Sequence, residues 1–411
     1  MSRSGYRAEF VVRRDSDHKR ETMAIRHDVA ISPNLATGDA SDVSAFPSAC
    51  HVQDGIVCVY RRGSAKHSRD GVLLSQSSTD GGKSWSTPTT IFDRMQDAEP
   101  ESVHAAVVCE CGGIALAFFK TVEAKERDAY IFSEEGRRLR QRAYQCRSPD
   151  AGHTWSVPME IKLQGGPRDT FLGSRPLALP SGRLFIPVEA TAEHGQQMMM
   201  GCFSDDGGRT LSPLFPIAYD ATGERGFGDG KVAVLPDGRI VMLAWTYLNH
   251  TEETISVHQC VSLDGGCHWS PPEPTNTVCQ IMTPLSVGDR GLVAAGNVRT
   301  YPEGIRLFRS IDAGSTWIGT PIQLWDARQS KVTAVPLAVS ASSTGDERLW
   351  SALPSFTFGC PELTMLANGD VLMTYYADLQ GVTHIRACRI ALDKHPSRTD
   401  RRQMTSSFTV N

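Results

Sequence analysis

A chain of 411 residues, 40% of them hydrophobic, is long enough for one large domain or two ordinary ones around a sizeable core. Its formal net charge of −4 supplies no global field for nucleic acid or an acidic membrane surface. No stretch approaches the ~18 apolar residues of a membrane span, so neither a nucleic-acid nor a membrane partner is expected.

The chain opens on MSRSGYRAEFVVRRDSDHKR, which has no apolar run long enough for a secretory leader. A cytoplasmic location follows as an expectation. Residues 1–20 read as a polar tail, 21–394 as the folded unit and 395–411 as a second polar tail. Eleven cysteines cannot all pair within the chain, and Cys58 in IVCVY and Cys202 in MMMGCF sit in apolar segments, so reduced thiols are expected. Cys109 and Cys111 form a C-x-C with no companion cluster; neither metal nor cofactor is expected.

Six strand-like pairs broken by tight turns follow in order: VQDGIVCVY, VCECGGIALAFF, ALPSGRLFIPV, VLPDGRIVMLAW, SVGDRGLVAAG and MLANGDVLMTYY. Asp-Gly, Asn-Gly and Ser-Gly suit short hairpins, because glycine tolerates positive φ. Five of the six pairs are followed by a third strand-like segment and a box, S-x-D-x-G-x-x-W, beginning at Ser78, Ser148, Ser204, Ser262 and Ser310, with Leu211 replacing tryptophan once. Spacings of about 50 to 70 residues mark a repeat architecture.

Each unit therefore reads strand, turn, strand, loop, strand, box, strand. Six such units predict an all-β fold, a six-bladed β-propeller of four-stranded antiparallel blades. The sixth unit lacks a box and is closed by an N-terminal strand, TMAIRHDVAI. Within a box, Asp80 can accept N–H groups of its own turn, Gly82 permits an unusual backbone conformation, and Trp85 can bury apolar surface. One carboxylate per repeat is too few for a strong calcium site. The boxes are scaffold.

Turns and boxes then share one face, and the longer charged loops ring the axis on the other. That face carries Arg61, Arg62, His67 and Asp70; Arg168, Asp169 and Arg175; Glu189; Glu224 and Asp229; Arg299; and Glu362. Trp245 and Tyr247 offer an aromatic wall for a sugar ring. Solvated ion pairs and loop-bracing salt bridges are the plain alternative for the charged residues, and blade packing for the aromatics. Paired carboxylates are the usual equipment of glycoside cleavage, and Asp70 with Asp229, Glu189 or Glu362 would supply such pairs.

On its boxes, over about residues 45 to 392, the chain resembles the Asp-box sialidases of the BNR-repeat superfamily. The resemblance implies a six-bladed propeller that cleaves terminal sialic acid. Its expected tools are three arginines for the substrate carboxylate, a tyrosine nucleophile assisted by a glutamate, and an aspartate acid/base. Asp70, in KHSRDG, matches the place of that aspartate, with His67 nearby. Asp229 occupies the supporting glutamate's position, with Glu224 nearby, and Arg299 or Arg306 supplies the third arginine. The other two arginine positions hold Ala45 and Trp245. The tyrosine position holds Cys360, in FGCPEL, while Tyr375 and Tyr376 end a later strand.

The leading expectation is a sialidase-like glycoside hydrolase that removes a terminal sugar, acidic sugars included, from a glycan or oligosaccharide. Asp70 or His67 would donate the proton, Asp229 or Glu362 would be the second carboxylate, and Arg62 and Arg299 would anchor substrate. Arg168, Arg175, Glu189, Glu224 and Trp245 would add contacts. A non-catalytic carbohydrate-binding propeller is one alternative. A polysaccharide lyase or neutral-sugar glycosidase on the same scaffold is another, with His67 and Arg62 suited to proton abstraction beside a sugar carboxylate.

Overall fold

The computed structural model describes residues 23–124, 139–167, 170–192, 195–288, 291–330 and 355–392. The proposed tails, 1–20 and 395–411, lie outside them. After β1 (Met23–Ala30), blade 1 consists of β2 (Val43–Val52), β3 (Gly55–Gly63), β4 (Val72–Ser78) and β5 (Thr89–Phe92). Blade 2 holds β6 (Glu101–Cys111), β7 (Ile114–Glu123), β8 (Gln141–Ser148) and β9 (Met159–Ile161). In blade 3 the first strand is split into β10 (Thr170–Phe171) and β11 (Leu177–Ala178), followed by β12 (Leu184–Thr191), β13 (Gln197–Ser204) and β14 (Phe215–Ala218). Blade 4 runs β15 (Arg225–Val234), β16 (Ile240–Leu248), β17 (Ser256–Ser262) and β18 (Glu273–Val278). Blade 5 runs β19 (Met282–Ser286), β20 (Leu292–Val298), β21 (Gly304–Ser310) and β22 (Ile318–Asp326). Blade 6 consists of β23 (Phe358–Met365), β24 (Val371–Leu379) and β25 (Val382–Leu392), and β1 completes it at the outer edge beside β25. The propeller, its antiparallel blades and the closing N-terminal strand are as the repeat predicts. No described helix is long and apolar enough to cross a membrane.

Each blade is covered on both faces by its neighbours. Central strands therefore read as nearly continuous apolar runs, and Ile56 to Tyr60 of IVCVY are all buried. Val57, Val59 and Leu73 of blade 1 pack against Val108, Ala117, Phe119 and Tyr144 of blade 2. Each such aliphatic or aromatic side chain contributes about 1.5–3 kcal/mol on full burial.

The boxes pin one blade to the preceding one. Asp80 accepts the N–H groups of Lys83 and Ser84 at 2.9 and 3.0 Å and the Ser84 hydroxyl at 2.6 Å. The Ser78 hydroxyl donates to Asp80 and accepts from the Gly82 N–H, both at 2.9 Å. The same serine–aspartate–glycine pattern recurs around Asp150, Asp206, Asp264 and Asp312. Partial desolvation pushes the Asp80 and Asp206 pKa up, but hydrogen bonds from their turns outweigh it and bring both down to about 2. At Asp264 the His268 N–H and ring lead a lowering to about 2. The second box glycine faces the previous blade: Gly208 has φ +87°, and a Cβ there would lie 2.5 Å from Phe118 of blade 2.

Candidate functional site at the propeller axis

The inner strands of blades 1, 2, 4 and 6 each carry one extra residue at their axial end. The register shifts fall between Ala45 and Ser48, Val103 and Ala105, Gly228 and Lys231, and Gly359 and Glu362. Such bulges re-aim side chains, and these aim Phe46, His104, Asp229 and Cys360 into one axial cavity of about 310 Å³. Phe46, Asp229 and Cys360 hold positive φ, at 55°, 50° and 50°. Left-handed backbone at a non-glycine residue costs on the order of 1–3 kcal/mol and clusters at functional sites. The cavity opens on the face opposite the boxes, since starts of first strands and ends of second strands line it.

The carboxylates are held by blade-to-blade bonds. Glu189, at the end of β12, accepts the Gln197 amide at 2.7 Å and the backbone N–H of Asp229 at 2.7 Å. It thereby fixes the bulge that presents Asp229. Burial pushes the Asp229 pKa up from 3.8, and Lys231 and Arg299 oppose this only in part. Lys231 donates to Glu362 at 3.0 Å and to the Gly173 carbonyl at 2.7 Å. Burial alone would depress the Lys231 pKa, but the Glu362 and Asp229 charges outweigh it and raise it. Glu362 thus stands in a buried ion pair, while burial holds the carboxyl of its neighbour Asp229 above the ordinary aspartate range.

Arg299 donates from Nε to Gln280 at 2.8 Å, and its guanidinium lies 4.0 Å from the ring centre of Phe356 and 4.3 Å from that of Phe358. It also hydrogen bonds the Tyr376 phenol, which burial keeps protonated. Gly359 gives that phenol room, since a Cβ there would fall 2.8 Å from it. Burial, with the Asp229 charge beside it, pushes the Cys360 thiol up to about 12, so it is no thiolate nucleophile near neutral pH. His67 stacks on Phe46 at 4.8 Å and lies 5.2 Å from His104, which meets Phe171 edge-on at 4.9 Å. Burial, then the His104, Arg61 and Lys66 charges, push the His67 pKa well below 6.5 and leave it neutral. Trp245 lines the opposite side and donates to Thr254 at 3.1 Å.

Six residues anticipated from sequence therefore meet in the cavity: His67, Glu189, Asp229, Trp245, Arg299 and Glu362. Of the others that the structure describes, none lines it. Asp70 is turned back on its own loop, where it accepts the Ser64 N–H at 3.0 Å. Arg62 pairs with Asp42 through two bonds of 2.8 and 2.7 Å. Arg175 is a brace between blades, donating to the Ala49 and Leu363 carbonyls at 2.7 and 2.6 Å. Glu224 is exposed in a turn whose carbonyl takes the Asn249 N–H. Arg306 donates to the Pro302 carbonyl and Tyr375 to Asp28, both away from the cavity. Arg168 and Asp169 lie outside the described residues. Lys231, His104, Gln197, Gln280 and Tyr376 were not singled out as site residues. The glycine run around Lys231, GFGDGK, was the signal available, because clustered strand glycines mark bulges and close approach.

The profile of the BNR repeat-like domain family matches residues 53–373, and the chain belongs to that family. A protein of unknown function from Dyadobacter fermentans is similar in structure, with a TM-score of 0.69, 19% identity, and coverage of 90% of this chain and 99% of that one. The Hadza microbial sialidase Hz136 is similar with a TM-score of 0.60 and 16% identity, over 84% of this chain and 65% of that one. The intramolecular trans-sialidase from Ruminococcus gnavus is similar with a TM-score of 0.56 and 13% identity, over 88% and 98%. At such identities the likeness is one of fold. No curated protein sequence matches the chain.

Proposed function

We propose that this BNR repeat-like protein is an exo-acting glycoside hydrolase that removes a terminal sugar from a glycan in its axial cavity. The observation that carries the reading is the pairing of two carboxyl groups in one cavity, Asp229 with its pKa raised by burial and Glu362 ion-paired with Lys231. A carboxyl group raised by burial suits the acid, and an ion-paired carboxylate beside it suits the partner. Asp229 protonates the glycosidic oxygen as its bond to the anomeric carbon breaks. Glu362, ion-paired with Lys231, stabilises the cationic character that develops on the ring. Water adds its hydroxyl to the anomeric carbon and returns a proton to Asp229. Trp245 and Phe46 border the ring, and the cavity volume falls at the lower end for small-ligand pockets.

The test is product analysis after incubation with a pool of defined oligosaccharides. A released terminal sugar carrying the mass of one added water is expected. An unsaturated product would indicate a lyase instead, and binding without any product a carbohydrate-binding propeller.

A further inference from the structure

We infer that the cavity selects an uncharged sugar ring, seated against aromatic side chains, and discriminates against sugars that carry a carboxylate. This deepens the reading above and rests on it. Binding a carboxylate in a water-poor site calls for a cation presenting a two-pronged donor. Among the described residues the cavity is lined by one lysine and one arginine, Lys231 and Arg299, both engaged, and by the imidazoles of His67 and His104, which offer no two-pronged donor. Lys231 is held by Glu362 and the Gly173 carbonyl, at 3.0 and 2.7 Å. Arg299 is held at Nε by Gln280, at 2.8 Å, and packed on Phe356 and Phe358. A third cation, Lys66, sits behind Phe356 with its ammonium on the Phe356 carbonyl. Burial and the Arg299 charge bring its pKa to about 7, so it adds only part of a charge.

Against these stand three lining glutamates, Glu189, Glu252 and Glu362, besides the proton donor Asp229. An incoming carboxylate would meet like charge at close range, which costs far more than it would in water. Two further points at the axial ends of strands are apolar, one on β2 and one on β16. Ala45 is buried next to Phe46, and Trp245 presents an indole to the cavity. Such surfaces reward the apolar face of a ring rather than its charge.

Matched pairs test this directly. Ligand-observed NMR titrations of the full chain would compare glucose with glucuronate and galactose with galacturonate, and include N-acetylneuraminate. Each pair differs by one carboxylate. At least one uncharged sugar should bind saturably, its acid partner at least about tenfold more weakly, and the uncharged Kd should stay constant as salt is raised. Equal or tighter binding of the acids or of N-acetylneuraminate, or no saturable binding by any sugar, would overturn the inference. If an uncharged sugar binds with this preference but no glycoside is cleaved, the hydrolytic reading falls and the ligand class stands. Cleavage that prefers acidic glycosides gives the reverse.

Discussion

Asp229 concentrates the residue-scale claims. Its pKa is raised by burial, and in the proposed reaction it gives up its proton, so activity should be lost as pH rises through that raised value. A profile of kcat/KM against pH should therefore show an alkaline limb above the ordinary 3.8 of an aspartate, and Asp229→Asn should abolish that limb with the activity. Glu189 acts through the backbone. Its two oxygens take one donor each, from Gln197 and the Asp229 N–H. Glu189→Gln replaces one acceptor by a donor, leaves one of those groups unsatisfied, and should cost about 1–3 kcal/mol in urea unfolding. An unchanged midpoint would contradict that role. Neighbouring residues show how far sequence could reach at this scale. Tyr375 and Tyr376 are adjacent, yet one bonds Asp28 within the blade and the other opens on the cavity. Strand alternation says they diverge, but which one faces the axis depends on the whole blade. His67 and Asp70 share a loop, and only the turn formed with Ser64 decides that Asp70 points away.

Among the elements, the box was the most legible, because its chemistry is local. Serine, aspartate and glycine satisfy one another within a few residues, so the pattern can be read without the rest of the chain. The inner-strand bulges were not legible, because they are defined by register against a partner strand. Gly208 tests the box as a blade-to-blade contact. Gly208→Ala should destabilise by about 1–3 kcal/mol, from positive φ plus the clash with Phe118, as measured by chemical denaturation. The box aspartates also set an acid limit. Their folded pKa values lie below the ~3.9 of an unfolded aspartate. The stability they contribute is complete above that value and is lost as pH falls through the folded values, about 2 for Asp80, Asp206 and Asp264. Acid titration of the fold, followed by circular dichroism, should show unfolding setting in below about pH 4. A signal unchanged down to pH 2 would contradict this.

For the whole molecule, period and composition sufficed. Six repeated units with buried central strands leave little choice but a closed ring, and the missing sixth box pointed to closure by β1. The closure is tied by Asp28 to Arg386 at 3.0 Å and by Asn34 to the Thr383 carbonyl at 2.8 Å. Deleting residues through Ala30 should lower the melting temperature and, by baring the edge of β25, promote association visible in light scattering. The ring also explains the division of labour between its faces. Boxes need only local bonds and can repeat, whereas the axial face draws side chains from all six blades and gains chemistry where blades differ. Ala45, Trp245 and Cys360 are such differences, and beside the acidic side chains they add apolar and aromatic surface on a fold that sialidases also have.

In the proposed function, chemistry belongs to the axis and structure to the boxes. Steady-state kcat on a cleaved oligosaccharide, compared for Asp229→Asn, Glu362→Gln and Asp80→Asn with melting temperatures alongside, tests it most directly. A loss of roughly 10²-fold or more is expected for the first two, with folding retained, and a lowered melting temperature with near-normal kcat for the third. Undiminished turnover in both cavity variants, or turnover lost in a folded Asp80→Asn protein, would contradict it.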